Sequence, residues 1–342
     1  DFDVVTIKDV PGYATLVQKN TLESLDDYIT DAGINLADFN GITDQVTVDG
    51  SLYELPFRSD YWLIYYNKDV FDAAGIAYPS NDMTMEDYDA LARQLTDTTY
   101  GSQVYGCHYH TWRSAVELFG ILDGKHSILD GNYDWMIPYY DMILSEEDDG
   151  VCQTYTDLST EGLHYSAAFS NGNVAMMNMG SWFISTLISN LDSGEYDSSL
   201  CGNWGIASYP HPDGAEAGST IATITGLAVT SASANKDAAF DFVNWVSGTE
   251  GAKVMASTGN FPAIMTDDVI NTIAGMAGFP TDEGSKEALN ITNAYLEVPY
   301  AENVSEINSI LDTYHTSIMN REVTVEEGVA SMNEQVGKIL NQ

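Results

Sequence analysis

The residues of this chain that could perform chemistry are scattered, and none of them belongs to a recognised catalytic motif. The sequence contains no GxSxG, no HExxH, no phosphate-binding loop and no dinucleotide glycine fingerprint. Cys107-His108-Tyr109-His110 offers several metal ligands. Neighbours in one loop rarely complete a tetrahedral site, so we interpret this segment as a loop or a pocket wall. No two of the 51 acidic residues stand out as a glycosidase pair. The pattern therefore predicts no catalytic residue, no metal and no cofactor.

Aromatic rings beside polar residues and glycines are a more informative feature. The chain has 21 tyrosines and 6 tryptophans; Trp112 follows His110-Thr111, Trp182 follows Gly180-Ser181, and Phe261 follows Asn260. The faces of sugar rings pack on aromatic side chains, while sugar hydroxyls need carboxylates, amides and cations. These positions are therefore candidates for ligand binding, with packing in a core as the alternative for each. We assign to the core the tryptophans whose neighbours show strand or helix periodicity, which are Trp62, Trp135 and Trp245.

A carboxylate precedes the most apolar strand pattern of the chain. The polar segment Arg58-Ser59-Asp60-Tyr61 runs directly into residues 62–66, a dense aromatic and aliphatic run that predicts a buried strand. A carboxylate at the mouth of such a strand can hydrogen-bond a polar ligand. The sequence therefore predicts a ligand contact at Asp60.

Strand and helix patterns, which must position these candidates, alternate along the whole chain. This alternation indicates an α/β fold with mostly parallel sheets flanked by helices. Gly226, inside a β-branched strand pattern over 220–230, indicates a bend or a close approach to a ligand. The other main expectations are strands over 3–7, 174–179 and 204–207, and helices over 158–171, over 236–247 and from a capping box at Thr324 and Glu327 towards the C-terminus.

Length, charge and cysteine content limit the class of protein. A chain of 342 residues exceeds one ordinary domain. It has no long linker, so we expect it to pass between two domains through strands.

Its 12 basic and 51 acidic residues give a net charge of −39, which repels nucleic acids and anionic membranes. We interpret this acidity as adaptation of the surface to its surroundings. No apolar run approaches the ~18 residues of a membrane span. Three cysteines leave at least one thiol unpaired, and the sequence assigns no disulfide among Cys107, Cys152 and Cys201.

Four segments, in this order, resemble the extracellular solute-binding proteins of ABC importers, of the maltose- and oligosaccharide-binding type. They are DFDVVTIKDVPGYATLVQKNTLESLDDYI, LPFRSDYWLIYYNKDVFDAAGI, FSNGNVAMMNMGSWFIS and GLAVTSASANKDAAFDFVNWVSGTEGAKVMASTGNFPA. The resemblance implies a two-lobed, type II periplasmic-binding-protein-like fold with a multi-strand hinge. It places lobe 1 at 1–62 plus 224–296 and lobe 2 at 63–223 plus 297–342. The family begins with a strand–helix–strand unit, roughly 30 residues long, that does not precede Asp3 here. We therefore expect that N-terminal sequence is missing.

The resemblance also implies roles for individual residues. Asp60 matches a hinge carboxylate that accepts sugar hydroxyls, and Trp182 resembles the ring on which a pyranose stacks. The further ligand contacts that it implies are Tyr109 and Trp112 in an aromatic wall of lobe 2, Lys8 and Asp9 in lobe 1, Arg58 and Thr225 at the hinge, and Asn260 and Phe261 on a loop of lobe 1.

The implied function is to bind a carbohydrate, an oligosaccharide in first place, between the lobes and to deliver it to an ABC permease. Such a protein is not an enzyme, acts as a monomer, binds no nucleic acid and is extracellular, either lipid-anchored at the cell surface or periplasmic. Two alternatives stay open. One is the same fold binding a polyamine or another cationic solute, which the acidity favours. The other is an extracellular carbohydrate hydrolase, which needs two carboxylates in the cleft.

Overall fold

The computed structural model describes residues 2–98 and 103–341 and shows strands flanked by helices. The strands are β1 (Val4–Ile7), β2 (Leu55–Asn67), β3 (Tyr105–His108), β4 (Val174–Gly180), β5 (Trp204–Ser208), β6 (Thr220–Val229) and β7 (Ala294–Leu296). The helices are α1 (Val10–Gln18), α2 (Asp26–Ala32), α3 (Lys68–Ala74), α4 (Met85–Thr98), α5 (Ser114–Ile121), α6 (Ile137–Asp148), α7 (Tyr155–Glu161), α8 (Tyr165–Ser170), α9 (Trp182–Ser193), α10 (Ser198–Cys201), α11 (Lys236–Ser247), α12 (Thr249–Ala256), α13 (Asp267–Ala274), α14 (Glu283–Glu287), α15 (Val304–Met319) and α16 (Val325–Leu340). Short 3-10 turns lie at Leu36–Phe39, Thr43–Val46 and Asp134–Met136.

The long strand β2 takes part in two groups of strands. Its first part, up to Tyr61, pairs with β6, which also pairs with β1 and β7; we call this group lobe 1. Its second part, from Trp62 onward, lies between β4 and β5, and β4 also pairs with β3; we call this group lobe 2. Because β2 runs from one lobe into the other, it forms part of the hinge. The residue boundaries of the lobes given above stay a prediction.

Strand direction differs from the prediction. Among the described strands, four of the six pairings are antiparallel, and only β3–β4 and β6–β7 are parallel. The expectation of mostly parallel sheets is therefore wrong. The physical reason is that β2 and β6 are long strands against which their neighbours run back, and strand–helix alternation in the sequence does not encode the direction of pairing.

Several local predictions are confirmed, and one helix is not. The helix over 236–247 is α11, and α16 begins with the predicted capping box, in which Thr324 and Glu327 each accept a hydrogen bond from the other's backbone N–H. The single helix expected over 158–171 is wrong, because α7 ends at Gly162, where φ is 62°. This left-handed conformation favours glycine and stops the helix before α8 begins.

The C-terminal helices connect the two lobes. The helix α15 packs on α16 and on α1 of lobe 1, while α16 packs on α6 of lobe 2. This arrangement places one face of α15 beside the space between the lobes. Within the described part of the chain, none of these helices combines the length and hydropathy that a membrane span requires.

Candidate functional site

A cleft with a volume of about 580 Å³ lies between the lobes. Lobe 1 contributes the β1–α1 loop, with Lys8 and Asp9, and the middle of β6. Lobe 2 contributes the β3–α5 loop and the first residue of α9, and α15 closes one side. Because the lining comes from both lobes, a ligand in this cleft would contact both of them.

Three tryptophans form an aromatic cluster in the cleft. The ring centroids of Trp62 and Trp182 are 5.5 Å apart, those of Trp62 and Trp112 are 6.4 Å apart, and those of Trp112 and Trp182 are 6.2 Å apart. Trp112 and Trp182 keep accessible surface beside the cleft, which suits contact with the C–H faces of a saccharide, whereas Trp62 is 3% exposed and packs against both of them. The indole N–H of Trp62 is buried and has no hydrogen-bond partner among the described residues.

Of the tryptophans assigned to the core, one lies elsewhere. Trp62 is 3% exposed and packs in the core as expected, and it also borders the cleft because it stands on β2 where this strand passes between the lobes. Trp245 lies on α11 and is 54% exposed, so its assignment to the core is wrong. Strand or helix periodicity shows which side a residue faces, but not whether that side is covered by other residues.

The position of the Trp182 ring is fixed by its surroundings. Its Nε1 donates to the hydroxyl of Tyr165 over 3.1 Å. The ring also lies directly over Gly180, the residue opposite Trp62 in the β2–β4 pairing. A Cβ at Gly180 would be 2.0 Å from the Trp182 ring, so only glycine allows this approach. The ring is therefore held in place without a ligand.

The polar part of the cleft is centred on Arg113. Its Nε donates to Glu117 over 2.5 Å, and its Nη2 donates to the side chain of Asn308 over 2.6 Å. Its Nη1 donates to Asp312 and to the backbone carbonyl of Asn308. Burial raises the pKa of the Glu117 carboxyl, while the Arg113 charge opposes this shift. The network joins α5 to α15 with its donors and acceptors in fixed positions.

Glu297 adds a carboxyl whose charge depends on pH near neutrality. It follows β7, lines the cleft and accepts a hydrogen bond from the hydroxyl of Ser114. Burial and, after it, the charge of Glu117 raise its pKa to about 7. The neighbouring His315 is buried, and burial followed by the Arg113 charge lowers its pKa to about 3. The cleft therefore holds a neutral imidazole and a carboxyl that changes charge around pH 7.

The structure brings four of the ten predicted contact residues into the cleft, which are Lys8, Asp9, Trp112 and Trp182. Lys8 and Asp9 are exposed, and Asp9 also caps α1 by accepting a hydrogen bond from the N–H of Gly12 over 2.8 Å. Trp112 is 40% exposed and packs its ring against His110. These four residues have free surface that a ligand can contact.

Asp60 lies beside the cleft, but its side chain does not line it. It is 6% exposed. Arg58 donates to both of its oxygens, over 2.6 and 3.2 Å, and the hydroxyl of Ser181 donates to one of them over 2.9 Å. Burial raises the pKa of Asp60, and the Arg58 charge opposes this shift. In this arrangement Asp60 and Arg58 connect β2 to the β4–α9 junction, and their contact with a ligand stays a prediction.

The four remaining candidates also lie outside the lining of the cleft. Tyr109 is 6% exposed and packs behind the aromatic cluster, with its ring 6.4 Å from that of Tyr88. Phe261 is fully buried against Tyr61, so the alternative of core packing is correct for it. Asn260 donates to Thr258 within its own loop, and Thr225 pairs with Arg58 in the β2–β6 ladder.

Sequence reasoning missed most of the polar residues of the cleft. Arg113 directly follows Trp112, and Glu117 lies one helical turn later. A basic residue next to a candidate ring was therefore a signal in the sequence for this part of the site. Glu297, Asn308 and Asp312 come from the C-terminal third and have no local motif. Only the packing of α15 against α1 and α16 reveals them.

Among the described residues, the one group with metal-ligand spacing is Cys107, Glu146 and Cys152, outside the lining of the cleft.

Comparison with known proteins now identifies the family. The model of a family described as bacterial extracellular solute-binding protein matches residues 1–253 of this chain. The chain belongs to this family. Its members are bacterial and extracellular or periplasmic, so the coarse location follows. No curated protein matches the chain.

Solved structures confirm the two-lobed fold of this solute-binding protein. It is similar to a sugar transporter of Rhizobium etli in an open conformation, with 47% identity, a TM-score of 0.92, and coverage of 98% of this chain and 85% of that one. It resembles in fold an ABC substrate-binding protein of Listeria monocytogenes in complex with cycloalternan, with 21% identity, a TM-score of 0.79 and coverage of 99% and 84%. A maltose-bound MalE3 of T. maritima also has this fold, with 18% identity, a TM-score of 0.76 and coverage of 99% and 85%.

Proposed function

We propose that this solute-binding protein binds a carbohydrate, an oligosaccharide in first place, in the cleft between its lobes and delivers it to an ABC permease. The observation that carries this proposal is the cluster of Trp62, Trp112 and Trp182 beside the fixed polar network around Arg113. Rings bind the apolar faces of a sugar, and the carboxylates, guanidinium and amide bind its hydroxyls. The similar solved structures, described as a sugar transporter and as proteins bound to cycloalternan and to maltose, support the same ligand class.

The mechanism that we propose is closure of the lobes about the strands of the hinge. A ligand that contacts both lobes stabilises the closed state by the difference between its affinities for the two states. The likeness to a structure described as open supports assigning the present arrangement to the open state. The permease recognises the closed form, and the protein acts as a monomer, lipid-anchored at the cell surface or in the periplasm.

We also propose that the protein performs no chemistry on its ligand. The carboxylates Glu117 and Asp312 are both ion-paired with Arg113, and Glu297 accepts a hydrogen bond from Ser114. A glycosidase needs one free carboxylate and one protonated carboxyl facing each other across the scissile bond. The ion-paired arrangement suits hydrogen bonding to hydroxyls better than proton transfer.

One observation favours a cationic solute as a second candidate. The cleft contains four carboxylates, Asp9, Glu117, Glu297 and Asp312, against the two basic residues Lys8 and Arg113. Arg113 pairs with Glu117 and Asp312 but carries one positive charge, so the lining has an excess of two negative charges when all four carboxyls are ionised. We weigh this excess below the aromatic cluster, because Glu297 is partly protonated near pH 7.

A thermal-shift screen with neutral oligosaccharides and polyamines, followed by calorimetry, tests the ligand class. We expect a stabilising shift with an oligosaccharide, no product formed from it, and no shift with polyamines.

Trp182→Ala should weaken carbohydrate binding at least tenfold and leave the far-UV spectrum unchanged, because it removes a ring held in the cleft. Trp245→Ala is the matched control, since this tryptophan is exposed on α11 outside the cleft. Equal affinities of the two variants would show that the site is elsewhere.

A further inference from the structure

Two of the three cysteines lie side by side in lobe 2, away from the cleft lining. Cys107 is on β3, Cys152 follows α6, and the sequence separates them by 45 positions. The N–H of Cys107 donates to the carbonyl of Val151 over 3.4 Å, which brings the residue after Val151 beside Cys107. The Sγ atoms of both cysteines and a carboxylate oxygen of Glu146 all lie within 4.8 Å of one another. Both cysteines are buried, at 0% and 2% exposure.

The third cysteine has a different environment. Cys201 ends the short helix α10, and its thiol donates to the carbonyl of Asp197 in the preceding turn over 3.7 Å. It is not part of the group formed by Cys107, Glu146 and Cys152. The structure therefore separates one pair of thiols from a single thiol, which the sequence alone did not do.

We propose that Cys107 and Cys152 form a disulfide bond in the exported protein and that Cys201 stays a free thiol. The family places the protein outside the cytoplasm, where adjacent thiols are oxidised and the resulting disulfides persist. The proposal rests on this location and on the geometry, and it is independent of the identity of the ligand.

The chemistry requires a disulfide donor, such as a thiol–disulfide oxidoreductase of the extracytoplasmic compartment. The thiolate of one cysteine attacks the donor disulfide, forms a mixed disulfide and releases one donor thiol. The thiolate of the other cysteine then displaces the second donor thiol and closes the Cys107–Cys152 bond. The protein loses two protons and two electrons, and the donor disulfide is reduced to two thiols. Because both sulfur atoms are buried in the folded chain, the exchange takes place before lobe 2 has closed around them.

A metal ion is the competing explanation for this group. Neither oxygen of Glu146 has a hydrogen-bond partner among the described residues, and two thiolates with a carboxylate are a reasonable set of zinc ligands. Structural zinc sites, however, almost always have four nitrogen or sulfur ligands, and this group offers two sulfur atoms. Burial raises the pKa of Glu146 to about 8, which favours a neutral carboxyl beside the two thiols.

The bond would support the aromatic part of the binding site. Cys107 lies five residues before Trp112, and Tyr109 and His110 between them pack behind the aromatic cluster. Joining β3 to the segment after α6 closes a loop across lobe 2 and restricts the unfolded chain. We therefore expect the oxidised protein to have a higher melting temperature than the reduced protein.

The test counts free thiols in the full chain after export to the periplasm of a bacterial host and purification without reductant. The protein is denatured in the presence of an alkylating reagent, and its intact mass is measured with and without prior reduction. We expect one alkyl group before reduction, on Cys201, and three after it. Peptides should be generated by cleavage at acidic residues, because no Lys or Arg separates Cys152 from Cys201. A peptide pair joining Cys107 to Cys152 is the expected product.

Two variants make the result specific. Cys201→Ser should show no alkylation before reduction and two alkyl groups after it. Cys107→Ala should show two alkyl groups before reduction, because Cys152 loses its partner. Three alkyl groups before reduction in the unaltered chain overturn the proposal, whether elemental analysis finds zinc bound or not. A bond between Cys201 and either of the other cysteines overturns it as well.

Discussion

At the scale of single residues, we predict that Asp60 stabilises the fold and does not contact the ligand directly. Its oxygens are occupied by Arg58 and Ser181, and its side chain is nearly inaccessible. We expect Asp60→Asn to lower the free energy of unfolding by about 1–3 kcal/mol, because charge-assisted hydrogen bonds to a buried carboxylate are lost. Carbohydrate affinity should change by less than tenfold. Urea unfolding and calorimetry on the same variant separate the two roles.

The control for this prediction is Ser181→Ala, which removes one hydrogen bond to Asp60 and leaves the carboxylate itself in place. It should cost less stability than Asp60→Asn. If Asp60→Asn instead loses tenfold or more in affinity while its unfolding curve is unchanged, the carboxylate contacts the ligand, and the resemblance predicted its role correctly.

Arg113 illustrates the cost of leaving a buried charge without its partner. The guanidinium is 5% exposed and pairs with Glu117, which is fully buried. Arg113→Met should destabilise the protein by about 3–5 kcal/mol, because Glu117 keeps its burial and loses its counter-charge. The double variant Arg113→Met/Glu117→Met should recover part of this loss. Chemical denaturation of the two variants checks this, and equal stabilities would show that Glu117 is not the source of the penalty.

At the scale of elements, the β2–β6 crossing depends on a glycine. Gly226 lies in β6, and a Cβ there would be 2.2 Å from Oε2 of the buried Glu54. The close approach that the sequence indicated is therefore to this carboxyl. Gly226→Ala should lower the free energy of unfolding by about 1–3 kcal/mol, because Glu54 has to move within a packed interior. Thermal or urea unfolding measures the change.

A second glycine provides the matched control. Gly337 lies in α16, and a Cβ there would meet no atom within 4 Å. Gly337→Ala should stabilise the protein by up to about 1 kcal/mol, because alanine favours the helix. In a Glu54→Ala background, Gly226→Ala should cost much less than in the unaltered chain. A cost that is the same in both backgrounds would place the conflict elsewhere in β6.

The elements that the sequence predicted correctly are those specified by local signals. The capping box at Thr324 and the apolar face of α11 each depend on residues within one or two turns. The ring of Trp182 was predicted because a Gly-Ser-Trp segment follows a strand. The direction of pairing along β2, and the approach of Glu297 and Asp312 to Arg113, depend on contacts between distant segments. No local pattern contains that information, and for the same reason periodicity placed Trp245 in a core although it is exposed on α11.

At the scale of the whole molecule, acidity and burial together determine how stability changes with pH. Burial raises the pKa of Glu54 and of Glu146 to about 8, and that of Glu297 to about 7. In the unfolded chain these carboxyls titrate near their ordinary value of 4.5. Between about pH 4.5 and pH 7 these carboxyls keep protons in the folded state that they have released in the unfolded state. Burial lowers the pKa of His108 and His315 to about 3 and that of His110 to about 4, so below about pH 6.5 these imidazoles oppose the effect of the carboxyls. Above about pH 6.5 the imidazoles are largely neutral in both states, and stability falls as the pH rises.

We expect the free energy of unfolding to decrease by about 1.4 kcal/mol per pH unit for each carboxyl that keeps its proton in the folded state. The net charge of −39 acts in the same direction, because repulsion among carboxylates also grows with pH. Urea unfolding from pH 6.5 to pH 8, at low and at high salt, measures both effects. Salt screens the repulsion between exposed charges and leaves the contribution of buried carboxyls largely unchanged.

Two variants distinguish burial from repulsion. Glu54→Gln removes a carboxyl that is 1% exposed and that stays neutral in the folded state below about pH 8. Glu195→Gln removes an exposed carboxyl and so relieves repulsion in the folded state. Only Glu54→Gln removes a proton that the folded state retains, so this variant should flatten the dependence of stability on pH more than Glu195→Gln does. If the two variants give parallel curves, or if stability rises from pH 6.5 to pH 8, the buried carboxyls do not control the response. Loss of the slope at high salt would assign the response to repulsion alone.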